Sequence, residues 1–121
     1  MKLNSILIGS EDPKRLAGYY TKLFGKPTWD MGGYVGWLIG EGGVTVGPHD
    51  QVHGANTAPG RIIWNVESAD VKGDFAKLKA AGAKVVREPY NPGGEGDGDG
   101  LIATFADPDN NYFQLVSPMS P

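Results

Sequence analysis

The sequence predicts an α+β fold built from two β-α-β-β-β modules. The same order of elements occurs twice, with the first strands offset by about 56 residues and the helices by about 58. The 19 glycines and 9 prolines separate short patterned apolar segments, and hydrophobic residues make up 40% of the chain. We expect residues 1–121 to form a single domain, with a first module over 1–47, a linker over 48–59 and a second module over 60–121.

The first module opens with an aliphatic, β-branched strand from Leu3 to Gly9. Asp12 can cap a helix whose first position is Pro13, and Gly25 ends it. The apolar residues of this helix recur at the i, i+4, i+7 and i+8 spacing of one buried stripe: Leu16, Tyr20, Leu23 and Phe24. Glycine pairs then separate three short apolar runs that are typical of hairpin strands, around residues 28–30, 34–39 and 44–46.

The second module repeats this order after the polar linker. Residues 61–66 predict a strand, and Ser68 or Asp70 opens a helix that Gly82 ends. The apolar face of that helix holds Val71, Phe75 and Leu78. Three further strands are predicted at residues 84–86, 101–105 and 112–116.

Composition excludes several classes of partner and compartment. The net charge is −3, and no Lys/Arg cluster is longer than Lys14-Arg15, so we expect no nucleic-acid partner. The chain has no cysteine, which excludes disulfides, thiolate metal sites and a cysteine nucleophile. The apolar run near the start is too short for a signal peptide or a membrane span, so we expect a cytoplasmic protein without a membrane partner.

Two motifs stand near the two ends of the sequence. The first is the helix pattern Asp12-x-x-Arg15-x-x-x-Tyr19-Tyr20-x-x-x-Phe24-Gly25, and the second is the Asp-Pro turn and final strand over residues 107–115. Together they resemble the vicinal oxygen chelate superfamily, which contains glyoxalases, bleomycin-resistance proteins and extradiol dioxygenases. Asn110 stands in place of the glycine that is usual there and can adopt the same left-handed conformation. The resemblance implies that the strands of both modules form a curled mixed sheet around a cavity, usually in a homodimer.

The resemblance also implies where metal ligands would lie in the enzymes of this superfamily. They project from the first and last strands of each module, and by position they fall on Ser5, Arg61, Gln114 and, within one residue, Thr45. Hydroxyls and a single amide oxygen are poor ligands for a hard divalent ion, and a guanidinium repels it. We therefore expect neither a bound metal nor another cofactor.

These positions instead predict a binding site for a small aromatic or anionic molecule. Arg61 would hold an anionic group, or else would be a solvated or paired arginine at the end of a strand. If Arg61 faces the cavity, strand alternation places Ile63 and Asn65 beside it and Ile62, Trp64 and Val66 under the helix. The candidate ligand-binding residues are Ser5, Thr45, Arg61, Gln114, Trp37 and Tyr112.

Three functions follow from this interpretation. The first is a metal-independent binder of the bleomycin-resistance kind, which would confer antibiotic resistance by sequestering an aromatic compound. The second is a glyoxalase-like lyase or isomerase in which Arg61 stabilises an enolate; the sequence identifies no general base or other catalytic residue for it. The third is a module that binds protein partners, for which the sequence offers no exposed apolar stripe.

Two remaining motifs have simpler interpretations. His49 and His53 show a metal-ligand spacing, but they lie in a Gly/Pro-bounded loop without a third ligand, which favours a solvated linker. The segment Gly93–Gly100 approaches a calcium-binding glycine-aspartate repeat, yet its aspartates are out of phase and it occurs once. We interpret it as an acidic loop at the cavity mouth, where it can act as a lid.

Overall fold

The structure, a computed structural model, describes residues 1–94 and 100–118. The chain divides into two compact units, Met1–Ala55 and Asn56–Pro121. The first unit contains β1 (Ser5–Ser10), α1 (Pro13–Phe24), β2 (Trp29–Met31), β3 (Tyr34–Ile39) and β4 (Gly42–Pro48). The second contains β5 (Ile63–Glu67), α2 (Val71–Ala80), β6 (Lys84–Tyr90), β7 (Ile102–Ala106) and β8 (Tyr112–Val116).

Each unit forms one four-stranded mixed sheet with one helix. The strand orders are β1-β4-β3-β2 and β5-β8-β7-β6. In both sheets the first strand pairs in parallel with the last, and the remaining pairs are antiparallel. The two predicted β-α-β-β-β modules are therefore confirmed, since both units have the same element order and topology.

Helix α1 begins and packs as its sequence predicts. The Asp12 carboxylate accepts a hydrogen bond from the Arg15 backbone N–H at 3.2 Å, and Pro13 follows it directly. Leu16 and Tyr20 are fully buried, while Tyr20 lies 6.1 Å from the Trp37 ring. The Trp37 indole N–H donates to the Gly25 carbonyl at 2.8 Å, which satisfies its polar atom inside the core.

The core of the second unit is a run of aromatic rings. From α2, Phe75 stacks on Phe105 of β7 at 5.4 Å, and Phe105 stacks on Phe113 of β8 at 5.2 Å. Phe113 stacks in turn on Trp64 of β5 at 4.9 Å. These rings bind the helix to three strands, so they fix which face of the sheet lies under α2.

The predicted strand over residues 61–66 is wrong at its start. Strand β5 begins at Ile63, and Arg61 lies in a turn in which its backbone N–H donates to the Ala58 carbonyl at 3.0 Å. Ile62, expected under the helix, is 77% exposed. Because β1 begins at Ser5 and β5 at Ile63, the first strands share the 58-residue offset of the helices rather than the expected 56.

The Asp-Pro turn before β8 forms around a buried carboxylate. Asp107 is 3% exposed, and one of its oxygens accepts the backbone N–H groups of Asp109 and Asn111, both at 2.9 Å. Asn110 adopts a φ of 64°, the left-handed conformation expected where the superfamily usually has glycine. The turn joins β7 to β8 and so fixes the register between them.

In the parts of the chain that the structure describes, neither helix has the length and apolarity that a membrane span requires.

Candidate functional site

Strand alternation gives each sheet one face under its own helix and one opposite face, which we call the open face. On the open face of the second unit, one residue from every strand lies at the same register. Asn65 of β5 pairs with Gln114 of β8, Gln114 with Thr104 of β7, and Thr104 with Arg87 of β6. These four side chains, the polar row, cross the sheet from one edge to the other.

The centre of the polar row is a hydrogen-bonded pair. The Gln114 side-chain amide donates to the Thr104 hydroxyl oxygen at 3.1 Å. Thr104 is 6% exposed and Gln114 is half-buried, so the pair is held in place by its surroundings. One of the two amide N–H groups of Gln114 is engaged in this bond. The second N–H, the Gln114 carbonyl oxygen and the Thr104 hydroxyl hydrogen are the groups that can bind a ligand.

Arg87 at the edge of the row is held by an aromatic ring. Its guanidinium carbon lies 3.5 Å from the centroid of the Tyr90 ring. The register between β6 and β7 shifts on both sides of Arg87, which brings Arg87 and Tyr90 together on one strand although they are three residues apart. The N–H groups of a guanidinium point outward in its own plane, so one held over an aromatic ring can still bind a carboxylate or phosphate at its edge.

The open face of the first unit is different, because glycines replace side chains at its centre. A Cβ on Gly36 would overlap the Trp29 indole, and a Cβ on Gly47 would overlap the Tyr34 ring. Both aromatic rings therefore lie directly on the backbone of the sheet. The same face presents exposed apolar side chains, namely those of Leu7, Met31 and Leu38.

Thr45 and Gln114, two of the sequence-predicted site residues, lie at equivalent positions in the two units. Each lies at the middle of the last strand of its unit. Thr45 of β4 pairs with Leu7 of β1, and Gln114 of β8 pairs with Asn65 of β5. Tyr112 lies on the same open face as Gln114, two residues earlier, and is half-buried. The structure thus brings Tyr112 and Gln114 together with the polar row.

Ser5 shares the open face of the first unit with Thr45 and is exposed at the first position of β1, opposite Gly43. The other two predicted site residues lie elsewhere. Trp37 is 2% exposed and lies on the face under α1, where it is a core residue. Arg61 is exposed in the turn before β5 and so lies outside the strand on which it was placed. By the 58-residue offset, the residue equivalent to Ser5 is Ile63, not Arg61.

The donor groups at these positions do not suit the divalent ion of the superfamily's metal enzymes. The last strands present Thr45 and Gln114, and the first strands present Leu7 and Asn65 opposite them. Neutral hydroxyl and amide groups supply no charge to a hard cation. Within residues 1–94 and 100–118, no three His, Asp or Glu side chains are grouped so that they could hold a metal ion.

Thr104 and Arg87 were not among the site residues predicted from the sequence. Asn65 was predicted to lie on the cavity face of its strand, but without a role in binding. The lone hydroxyl in the otherwise apolar strand Ile102–Ala106 is the signal that could have identified Thr104. Arg87 carried no signal, because the predicted strand ended at residue 86 and the bulges of β6 are not visible in the residue pattern. Of the Gly93–Gly100 motif, residues 95–99 lie outside the described residues.

Comparisons with known proteins agree with this architecture. The glyoxalase-like domain family matches residues 5–116. No curated protein matches the sequence significantly.

Solved structures with the same fold share little sequence with this chain. A glyoxalase-related enzyme from Fulvimarina pelagi is 20% identical, with a TM-score of 0.72 over 98% of this chain and 88% of that one. A glyoxalase/bleomycin resistance protein/dioxygenase family enzyme from Burkholderia phytofirmans PsJN is 18% identical, with a TM-score of 0.71 over 98% and 100%. A glyoxalase/bleomycin resistance protein/dioxygenase from Nocardioides reaches 0.78 at 10% identity over 99% and 85%. Since the family match covers nearly the whole chain, this protein belongs to the glyoxalase-like domain family of the vicinal oxygen chelate superfamily.

Proposed function

We propose that this protein binds a small anionic, aromatic molecule without a metal ion, on the open face of its second unit. The observation that carries the proposal is the polar row. Four side chains that donate or accept hydrogen bonds lie in register across the sheet, and a guanidinium stands at one end. Sequestration of such a compound by a cytoplasmic homodimer, as in antibiotic resistance, is the physiological role that we propose.

The charges on this face favour an anion. Arg87 and Lys84 both lie on β6 at open-face positions, while Glu67 is at the far edge, on β5. The neutral amides and hydroxyl between them can orient polar atoms of a ligand without repelling its charge. Tyr112 and the Tyr90 ring offer aromatic surfaces on the same face for the apolar part of the ligand.

The chemistry of the row favours binding over catalysis. Residue 114 is a glutamine, and an amide cannot take a proton as a general base. The alternative, a metal-independent lyase or isomerase, was based on Arg61 as the cation that stabilises an enolate. No observation favours it over binding, because Arg61 is exposed in a turn outside β5. Arg87, held against Tyr90, is the cation that we assign to the ligand's anionic group.

Two arginine variants test the proposal. Arg87→Met keeps the apolar stem and removes the charge, and Arg61→Met is the matched control at another exposed arginine of the same unit. Isothermal titration with a panel of aromatic carboxylates and their uncharged amides should identify carboxylates that bind the wild type. We expect Arg87→Met to weaken this binding about tenfold or more and Arg61→Met to leave it unchanged.

Three results would contradict the proposal. The first is that no aromatic carboxylate binds, and the second is that the amides bind as tightly as the acids. The third is that Arg61→Met, and not Arg87→Met, abolishes binding. That result would show that Arg61, as the sequence analysis expected, binds the anionic group. Stoichiometric metal in the purified protein, measured by mass spectrometry, would contradict the metal-independent part.

A further inference from the structure

A cleft of about 580 Å³ lies in the first unit, at the ends of β1 and β4. Its volume is in the range of small-molecule sites. The residues that line it come from the end of β1, the start of β3 and the segment after β4. They are Ser10, Glu11, Tyr34, Pro48, His49, Asp50, Val52 and His53.

Two glycines give the cleft its shape. His49 Cβ and Val52 Cγ2 lie only 2.9 and 3.1 Å from the point where a Cβ on Gly9 would stand, so this segment packs directly on the β1 backbone. On the neighbouring strand, the Tyr34 ring lies on Gly47. The Tyr34 hydroxyl donates to the Pro48 carbonyl at 3.3 Å, which holds the ring at the wall of the cleft.

The segment after β4 is fixed in place by its own hydrogen bonds. The Val52 backbone N–H donates to the His49 carbonyl at 3.1 Å, which closes a turn. The Gly54 backbone N–H donates to the Glu11 carboxylate, which ties the segment to the start of α1. This hydrogen bond holds the exposed Glu11 carboxylate at the edge of the cleft, which lowers the cost of ordering it around a ligand.

Apart from the two histidines, the titratable acids of the lining are the carboxylates of Glu11 and Asp50 and the phenol of Tyr34. Among the residues that the structure describes, no lysine or arginine lines the cleft. The His49 Nδ1 lies 3.2 Å from the Gln51 backbone nitrogen and 3.5 Å from an Asp50 carboxylate oxygen. Beside these groups stand the aromatic face of Tyr34 and the apolar side chains of Pro48 and Val52.

We infer that this cleft is a second binding site, and that it takes an organic cation: a protonated amine or quaternary ammonium group on an apolar body. The ammonium would lie between the Glu11 carboxylate and the Tyr34 ring, which attracts a cation through its electron-rich face. The apolar body would lie against Pro48 and Val52. An anion would be repelled by both carboxylates, so the cleft and the polar row select ligands of opposite charge.

Nuclear magnetic resonance titrations of the full chain test this inference with three probes of similar shape. They are the phenethylammonium ion, neutral 2-phenylethanol and the 3-phenylpropanoate anion. We expect the cation to bind saturably with a millimolar Kd and to shift the backbone amide signals of Gln51, Val52 and Gly54. The alcohol should bind about three- to fivefold more weakly, and the anion should leave these signals unshifted.

Single variants separate the cleft from the polar row. Glu11→Gln and Tyr34→Leu should each weaken phenethylammonium binding about three- to fivefold. Glu41→Gln, which removes an exposed carboxylate in the turn between β3 and β4, should not change it. Arg87→Met should also leave it unchanged, so failure at the polar row and failure at the cleft give different results.

The inference is overturned if the alcohol binds as tightly as the cation, or if Glu11→Gln and Glu41→Gln weaken binding equally. It is also overturned if the shifted signals belong to the polar row. Since Tyr34→Leu can loosen the segment after β4, its amide spectrum is compared with that of the wild type first. The Glu11→Gln result decides alone where that spectrum changes throughout the first unit.

Discussion

The indole of Trp29 lies flat on the backbone of Gly36, in the place that a side chain at residue 36 would occupy. The two residues pair across β2 and β3, so the contact holds the short edge strand against the sheet. Trp29 also reaches Gly43 on β4, 3.2 Å from the position of a Cβ there. The glycines in these strands thus provide space for one aromatic ring that spans three strands.

We predict that Gly36→Ala destabilises the protein by about 1–3 kcal/mol, because the added methyl group displaces the Trp29 ring. Urea denaturation measures the change in the free energy of unfolding. Gly18→Ala is the matched control, since Gly18 lies on the exposed side of α1. Apart from the adjacent backbone of α1, no atom of the described residues lies within 4 Å of a Cβ there. It should stabilise the helix by about 0.5–1 kcal/mol.

A double-mutant cycle identifies the cause. In a Trp29→Ala background, the methyl group of Gly36→Ala meets no ring, so the further loss from Gly36→Ala should fall to well under 1 kcal/mol. An undiminished loss would mean that the backbone of β3, and not the indole, requires glycine at this position.

Trp37 should behave as a core residue and not as a ligand contact. Trp37→Phe removes the hydrogen bond to the Gly25 carbonyl and part of the ring volume beside Tyr20. We expect a loss of about 1–3 kcal/mol in the free energy of unfolding. Titration of the folded variant with an aromatic carboxylate that binds the wild type should give the same Kd. A tenfold higher Kd for the variant would show instead that Trp37 contributes to ligand binding.

The turn before β8 gives a third prediction. Asp107→Ala leaves the buried backbone N–H groups of Asp109 and Asn111 without their shared acceptor, and we expect it to cost about 2–4 kcal/mol. Asn110→Gly should change the free energy of unfolding by less than about 1 kcal/mol. Glycine suits the φ of 64° better, and this gain offsets the loss of the hydrogen bond that the Asn110 side-chain amide donates to the Asn56 carbonyl at 3.0 Å. Thermal unfolding compares the two variants. Similar losses in both would show that the carboxylate is not what holds the turn.

We also expect a homodimer, as the superfamily resemblance implies. Leu7, Leu38 and Met31 are 53%, 56% and 72% exposed on the open face of the first unit, which is a large apolar surface for one small unit. Light scattering should give twice the chain mass of 12.9 kDa. A mass equal to one chain at micromolar concentration would contradict the prediction of a homodimer.

The order of elements could be predicted from the sequence because local signals repeat in it. Asp12 and Asp70 cap the two helices, and glycines mark the turns between the strands, so both modules are visible without tertiary information. The polar row could not be predicted in full. Its paired members, Asn65 with Gln114, Gln114 with Thr104 and Thr104 with Arg87, are 49, 10 and 17 residues apart in the chain, and only sheet register places them side by side.

Arg61 shows how a small error of register changes a site prediction. An offset of 56 residues places it on the first strand, whereas the observed start of β5 at Ile63 leaves it in a turn. Arg87 shows the reverse, because it reaches the open face only through the irregular register of β6. Strand boundaries and bulges depend on contacts between strands, which the residue pattern of a single strand does not contain.

Adjacent residues of β5 and β8 have different roles, one in the aromatic core and the other on the open face. Trp64 and Phe113 stack beneath the sheet at 4.9 Å, while Asn65 and Gln114, the next residue on each strand, pair on the opposite surface. A substitution at Asn65 or Gln114 therefore leaves the aromatic packing intact. Evolution can therefore change the hydrogen-bonding groups on this surface by single substitutions that preserve the fold.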